Sequence, residues 1–189
     1  MYKRQACLAA SLAASLASSL TASLGAALAA ALGAALGRGA LPRLQVLWLD
    51  RTGLGSAGLI ALAPGLRARP QLKFLGLVFN DIDDDGVAAL VAPGEAVLQS
   101  LVTLGLSGNQ ITDAGCAALV AALSSGALPS LKNINLDDNP ASFDARAAID
   151  EALAARAWRL LRASVAQDTE RQMSGVRDQL LGLPSSSSG

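Results

Sequence analysis

One stretch constrains the fold more than any other: LVTLGLSGNQITDAGCAALVAALSSGALPSL, Leu101 to Leu131. Leu101, Leu104, Leu106, Asn109 and Ile111 spell L-x-x-L-x-L-x-x-N-x-I, a short strand running into a tight turn. Gly115, Leu119 and Leu123 then follow at helical spacing. The pattern is written again from Leu44, Leu72 and Leu131, so that successive units start 28, 29 and 30 residues apart. The third strand leucine recurs as Leu49, Leu77, Leu106 and Leu136, and the asparagine position reads Thr52, Asn80, Asn109 and Asn139. A glycine stands 14 residues into the first three units, at Gly58, Gly86 and Gly115, where the fourth has Ala145. A unit of one strand and one helix cannot bury its own leucines, so the repeats must stack and cover one another.

The L-x-x-L-x-L-x-x-N strand identifies a leucine-rich repeat. The unit length and the G-x-x-x-L-x-x-x-L helix resemble the ribonuclease-inhibitor-like class, which includes ribonuclease inhibitors, the sensing regions of NOD-like receptors and activators of the Ran GTPase. The resemblance covers about Leu44 to Leu153. It implies an α/β leucine-rich repeat solenoid with a curved parallel sheet on the concave face and helices on the convex face. Strands pair about 4.8 Å apart while packed helices need about 10 Å, which bends such a stack. The resemblance also implies recognition of a protein partner by the concave face and adjoining loops. The alternating leucine and cysteine pattern of mammalian ribonuclease inhibitors is missing. An alternative within the class is a regulator of a small GTPase, for which Arg51, the only arginine directly on a strand-to-helix turn, would be the residue to lend charge.

Composition removes several other functions. The chain of 189 residues has 15 basic and 15 acidic residues and a formal charge of zero, so it carries no electrostatic footprint for nucleic acid. Histidine is absent, which takes away the usual general base and most metal sites. Cys7 and Cys116 are the only cysteines and lie far apart, which argues against a disulfide framework or a cysteine zinc site. No serine or carboxylate falls in a catalytic constellation. The expectation is a binding protein rather than an enzyme, with no catalytic residue, cofactor or metal, and a cytoplasmic location is favoured.

Four segments follow in order. Met1 to Gln5, MYKRQ, resembles a translated sequencing-library adapter and is expected to be a scar rather than native sequence. Residues 6–43 form an Ala/Leu-rich segment without charge as far as Leu36, with leucine at every fourth position. A run of this length could span a bilayer or serve as a targeting peptide. Its end, AALGAALGRGALPRL, nevertheless matches AALVAALSSGALPSL of the third repeat, with Leu32 and Leu36 in the places of Leu119 and Leu123. It is therefore expected to be the helix of a partial repeat, whose own strand has degenerated, and membrane insertion is disfavoured. Residues 44–163 hold the repeats and a capping helix from Ser142 to Ala163, and residues 164–189 are polar and expected to be mobile.

Strand side chains alternate faces, which defines the candidate binding surface. If Leu44, Leu47 and Leu49 turn inward, Val46, Trp48 and Asp50 turn outward; the next units expose Phe74, Gly76 and Val78, then Thr103, Gly105 and Ser107, then Asn133, Asn135 and Asp137. Val46, Trp48, Phe74 and Val78 are expected to anchor a partner, with Gly76 and Gly105 leaving room and Asp50, Thr103, Ser107, Asn133, Asn135 and Asp137 forming a polar rim. Asn80, Asn109 and Asn139 are expected to be structural, bonding the backbone of neighbouring turns. Asp81, Asp83 and Asp85 with Gly86 imitate the start of a calcium loop, but the twelfth position is Ala92 rather than a glutamate. Asp83 stands in register with Gly55, Thr112 and Ser142 and is expected to cap a helix.

Overall fold

The structure, a computed structural model, describes residues 23–92 and 98–180. The adapter-like pentapeptide, Cys7, the leucines from Leu8 to Leu20 and the terminal serine run lie outside these residues. Among the described residues no helix is long and apolar enough to cross a membrane. The chain divides into two compact units, Met1–Ala152 and Leu153–Gly189.

A helix over 23–37 (α1) leads to β1 (Val46–Trp48), and strand and helix then alternate: α2 (Gly55–Arg67), β2 (Phe74–Gly76), α3 (Asp84–Val91), β3 (Thr103–Gly105), α4 (Asp113–Ser125), β4 (Asn133–Asn135) and α5 (Phe143–Leu180). The four strands form one open sheet in the order β1-β2-β3-β4, all parallel. This is the expected leucine-rich repeat solenoid. The strands are short because each repeat gives only three residues to the ladder before its turn.

The leucine register explains the core. Leu72, Leu75 and Leu77, and likewise Leu101, Leu104 and Leu106, are fully buried between sheet and helices. Leu59, Leu62 and Leu66 of α2, Leu90 of α3, and Leu119 and Leu123 of α4 meet them from the helix side. The first unit departs from the sequence pattern: Leu44, Leu47 and Leu49 are only half-buried. The reason is positional, because among the described residues β1 is the edge strand and no earlier strand packs over them.

The leucine stripe of α1 also divides. Leu36 is buried and Leu32 half-buried, while Leu24 and Leu28 are exposed. The face turned to α2 is instead Gly25, Ala29 and Gly33. These small residues let the two backbones approach: a Cβ on Gly33 would stand 2.7 Å from the Ala61 carbonyl oxygen, and one on Gly58 would stand 3.3 Å from the Ala29 Cβ. Arg69 donates to the Leu36 carbonyl at the end of α1, and Arg67 donates to the Ala89 carbonyl of α3, so two cations at the end of α2 hold the helices on either side of it.

The helix starts are capped as the register predicts. Asp83 accepts from Gly86 N–H, Thr112 from Ala114 N–H and Ser142 from Ala145 N–H. Gly55 has no side chain to offer, and α2 starts without a side-chain cap. Acidic groups also reach forward one unit: Asp84 accepts from the backbone of Thr112 and Gly115, and Asp113 from Ser142. The Asp83 carboxyl is held below its ordinary range, first by the Ser56 hydroxyl that bonds it. α3 ends at Val91, where Ala92 turns extended ahead of Pro93.

The second unit, Leu153–Gly189, is helical through its described part. α5 runs to Leu180, past Ala163, where the cap was expected to end and a mobile tail to begin. Residues 164–174 hold neither glycine nor proline and are rich in helix-forming Ala, Gln, Glu and Arg, which lets the helix propagate. Trp158, Leu161 and Val165 recur along one face of it and are exposed.

Candidate interaction surface

Register brings the predicted outward residues into rows. Val46 pairs with Phe74, Phe74 with Thr103 and Thr103 with Asn133; Trp48, Gly76, Gly105 and Asn135 form the second row. Just beyond the strands, Arg51 N–H donates to Val78, Phe79 N–H to Ser107 and Gly108 N–H to Asp137, which carries the third row of Asp50, Val78, Ser107 and Asp137 along the same edge.

The apolar end is a built platform. The Trp48 and Phe74 rings lie 4.2 Å apart at 38°, a tilted contact slightly closer than the roughly 4.5–7 Å usual for aromatic pairs. Trp48 is nonetheless 63% exposed, Val46 50% exposed, and Phe74 and Val78 half-buried. The two glycines behave differently from each other. Gly76 leaves no free space: a Cβ there would stand 3.0 Å from Trp48, 3.3 Å from Phe74 and 2.9 Å from Asp50 Oδ1. It is the bed on which the two rings rest. Gly105 is the open one, its nearest neighbour being Val78 Cγ2 at 3.5 Å from the place of a Cβ.

The polar end is more exposed. Asn133, Asn135 and Asp137 face solvent, while Thr103 and Ser107 are half-buried. Asn135 Oδ1 accepts from Asp137 N–H at 2.9 Å, and Asp50 Oδ1 from Val78 N–H at 2.8 Å. Asp50 thus ties β1 to the end of β2 as well as standing in the rim.

Asn80, Asn109 and Asn139 do what the pattern foretells. Asn80 Oδ1 accepts from Thr52 and Leu54 N–H, and Asn109 Oδ1 from Asn80 and Ile82 N–H; Asn139 Oδ1 accepts from Ile111 N–H. Their amide nitrogens donate back to the carbonyls of Leu49, Leu77 and Leu106 in the preceding unit. Asn80 and Asn109 are buried, so the bonds to Leu54, Asn80 and Ile82 N–H and to the Leu77 carbonyl satisfy groups that water does not reach.

Sequence reasoning passed over Phe79. It stands two residues after the third strand leucine, as do Arg51, Gly108 and Asp138, and all four adopt positive φ, between 53° and 66°. The Arg51 guanidinium sits 5.0 Å above the Phe79 ring, a cation–π contact. The Phe79 ring in turn fills the space in front of Gly108, where a Cβ would come within 2.3 Å of it. The signal was the recurrence of the position itself, occupied once by glycine.

The surface brings together an aromatic platform, a bare backbone floor and hydrogen-bonding groups. Among the described residues no cluster of acidic and cysteine side chains is placed to hold a metal ion. Of the calcium-like run, Asp83 caps α3, and the adjacent Asp84 bonds the start of α4.

Residues 70–91 and 97–120 match the family model described as Leucine Rich repeat. A comparison with curated protein sequences found none similar to this chain. Among solved structures, a chain described as Leiomodin-1 Actin-Binding Site 2 is similar, with 13% identity and a TM-score of 0.55 over 74% of this chain and 95% of that one. The fold and the family match agree that the chain carries leucine-rich repeats.

Proposed function

We propose that this chain is a protein-interaction module that engages its partner through the outward face of the sheet. Val46, Trp48, Phe74 and Val78 are the apolar anchor, and Asp50, Thr103, Ser107, Asn133, Asn135 and Asp137 are the polar rim. The observation that carries the reading is Trp48, a large ring locked against Phe74 over a buried glycine yet 63% exposed. A rigid aromatic loses little freedom on binding and gains much by being covered, which is why such residues dominate interface energetics. The leiomodin-1 segment of similar fold is named as an actin-binding site, which supports a protein as the class of partner. Unit lengths of 28 to 30 residues with a helix in every unit support placing the repeats in the ribonuclease-inhibitor-like class.

Affinity capture from cell extract with the intact chain and with Trp48→Ala tests the reading. Capture by the variant falls by roughly 30-fold or more, the cost of removing an aromatic anchor, while its circular dichroism spectrum stays the same. Undiminished capture by a folded Trp48→Ala removes this face from the interface.

A further inference from the structure

We infer that the Trp48 platform is an arginine subsite, in which a guanidinium of the protein partner stacks on the exposed indole and donates to the Asp50 carboxylate. The inference rests on the reading of this sheet face as the interface and names the side chain that the face takes. Three groups converge over one glycine. A Cβ placed on Gly76 would meet Asp50 Oδ1 at 2.9 Å, Trp48 Cε3 at 3.0 Å and Phe74 Cε1 at 3.3 Å. Ring and carboxylate therefore share one spot on the surface, and an occupant that covers Trp48 closes over Asp50 as well.

That pairing decides the chemistry. Asp50 Oδ1 already accepts from Val78 N–H at 2.8 Å, which leaves Oδ2 for a second donor. An apolar side chain laid on Trp48 would take water from this carboxylate and return nothing, and an anion stripped of water without a partner is costly. A cation avoids that cost. Charge across the face agrees: in the three outward rows Asp50 and Asp137 are the residues that carry charge, and both are acidic. The adjacent cation in the chain, Arg51, is turned instead to the Phe79 ring, 5.0 Å from its centroid.

The rings select which cation. Trp48 and Phe74 lie 4.2 Å apart at 38°, too close for an ammonium to enter between them as it would in an aromatic cage. What remains open is the rest of the indole, and Trp48 is 63% exposed. A flat guanidinium suits it, because it lies against an indole face while its N–H donors stay in its own plane, free to reach a carboxylate at the edge of the ring. A lysine ammonium offers the charge without the plane.

The test titrates the full chain with N-acetyl-arginine methylamide, with its neutral isostere N-acetyl-citrulline methylamide and with N-acetyl-lysine methylamide, following the NMR shifts of the Trp48 indole N–H and the Gly76 amide at low salt. The arginine compound shifts both signals saturably; the citrulline compound binds about tenfold more weakly and the lysine compound about threefold more weakly. Asp50→Asn keeps an oxygen for Val78 N–H and removes the charge, and it weakens arginine binding about tenfold. No saturable shift with arginine, citrulline or lysine binding as tightly as arginine, or arginine binding unchanged in Asp50→Asn overturns the inference. A cation of this same chain already seated on Trp48 shows itself as the first of these results. The three compounds are compared on the unaltered chain, so the inference is decided even where the variant fails to fold. Capture lost by Trp48→Ala together with no arginine shift overturns the subsite and leaves the interface reading standing; arginine shifts with capture undiminished by Trp48→Ala do the reverse.

Discussion

Gly65 of α2 rests directly on Gly33 of α1: a Cβ built on Gly65 would stand 2.3 Å from the Gly33 carbonyl oxygen and 2.8 Å from its Cα. The obstacle is backbone, so it cannot swing aside as a side chain would. Gly65→Ala must push α1 away from α2 and pull the Ala29 and Leu36 side chains of α1 out of the core. The expected cost is about 1–3 kcal/mol, the range for forcing atoms into a packed interior. Urea unfolding followed by circular dichroism measures it, and an unchanged midpoint shows that α1 does not sit where it is placed.

Asn109 joins two units through one side chain. Its Oδ1 accepts from Asn80 and Ile82 N–H at 3.0 and 3.1 Å, and its Nδ2 donates to Leu77 and Leu106 at 2.9 and 2.8 Å. Asn109→Leu keeps the branched shape of the side chain and strips these partners from groups that are buried. A loss of roughly 1–3 kcal/mol follows from the unpaired donors, read as a lowered denaturant midpoint. Asn139→Leu at the more exposed last turn costs less, because water replaces part of what is lost there.

Cys116 lies on the inner face of α4 and is 1% exposed. Burial comes first in pushing its thiol above the ordinary value, followed by the nearby Asp113 and Asp84 carboxylates. The thiolate is the reacting form. In a Cys7→Ser background a thiol reagent therefore labels the native protein no faster than the unfolding equilibrium exposes it. Labelling rates should rise with urea in step with the loss of helical signal; fast labelling in native buffer contradicts the packing around α4.

The parts legible in the sequence are those fixed by a period. Leucine spacing placed Val46, Phe74, Thr103 and Asn133 on adjacent strands, and the asparagine position foretold the ladder through Asn80, Asn109 and Asn139. What the sequence hid depends on neighbours. Nothing in the spelling says that Trp48 and Phe74 fold over Gly76, since that needs two units side by side. The half-exposure of Leu47 is a property of standing first, which the residue itself cannot express. The leucines of α1 advertised one face, and the packing used the glycines of another, because only those allow the helices so close. The length of α5 was hidden for a different reason: the capping helix was expected to end at Ala163, whereas the Ala, Gln, Glu and Arg beyond it also extend a helix.

The drift from 28 to 30 residues per unit is not spread evenly. From the first leucine to the helical glycine the count is 14 in each of the first three units, and the asparagine ladder and the forward-reaching aspartates bond within that half. The returning half carries the slack: α3 is 8 residues long where α2 and α4 are 13, and a local turn such as Leu101 N–H to Leu98 resets the chain before each new strand. The solenoid thus behaves like a zip with elastic tape on one side and fixed teeth on the other. Extra residues inserted on the return are absorbed before the next tooth engages, whereas a single residue added between Leu106 and Asn109 would throw every later asparagine out of step.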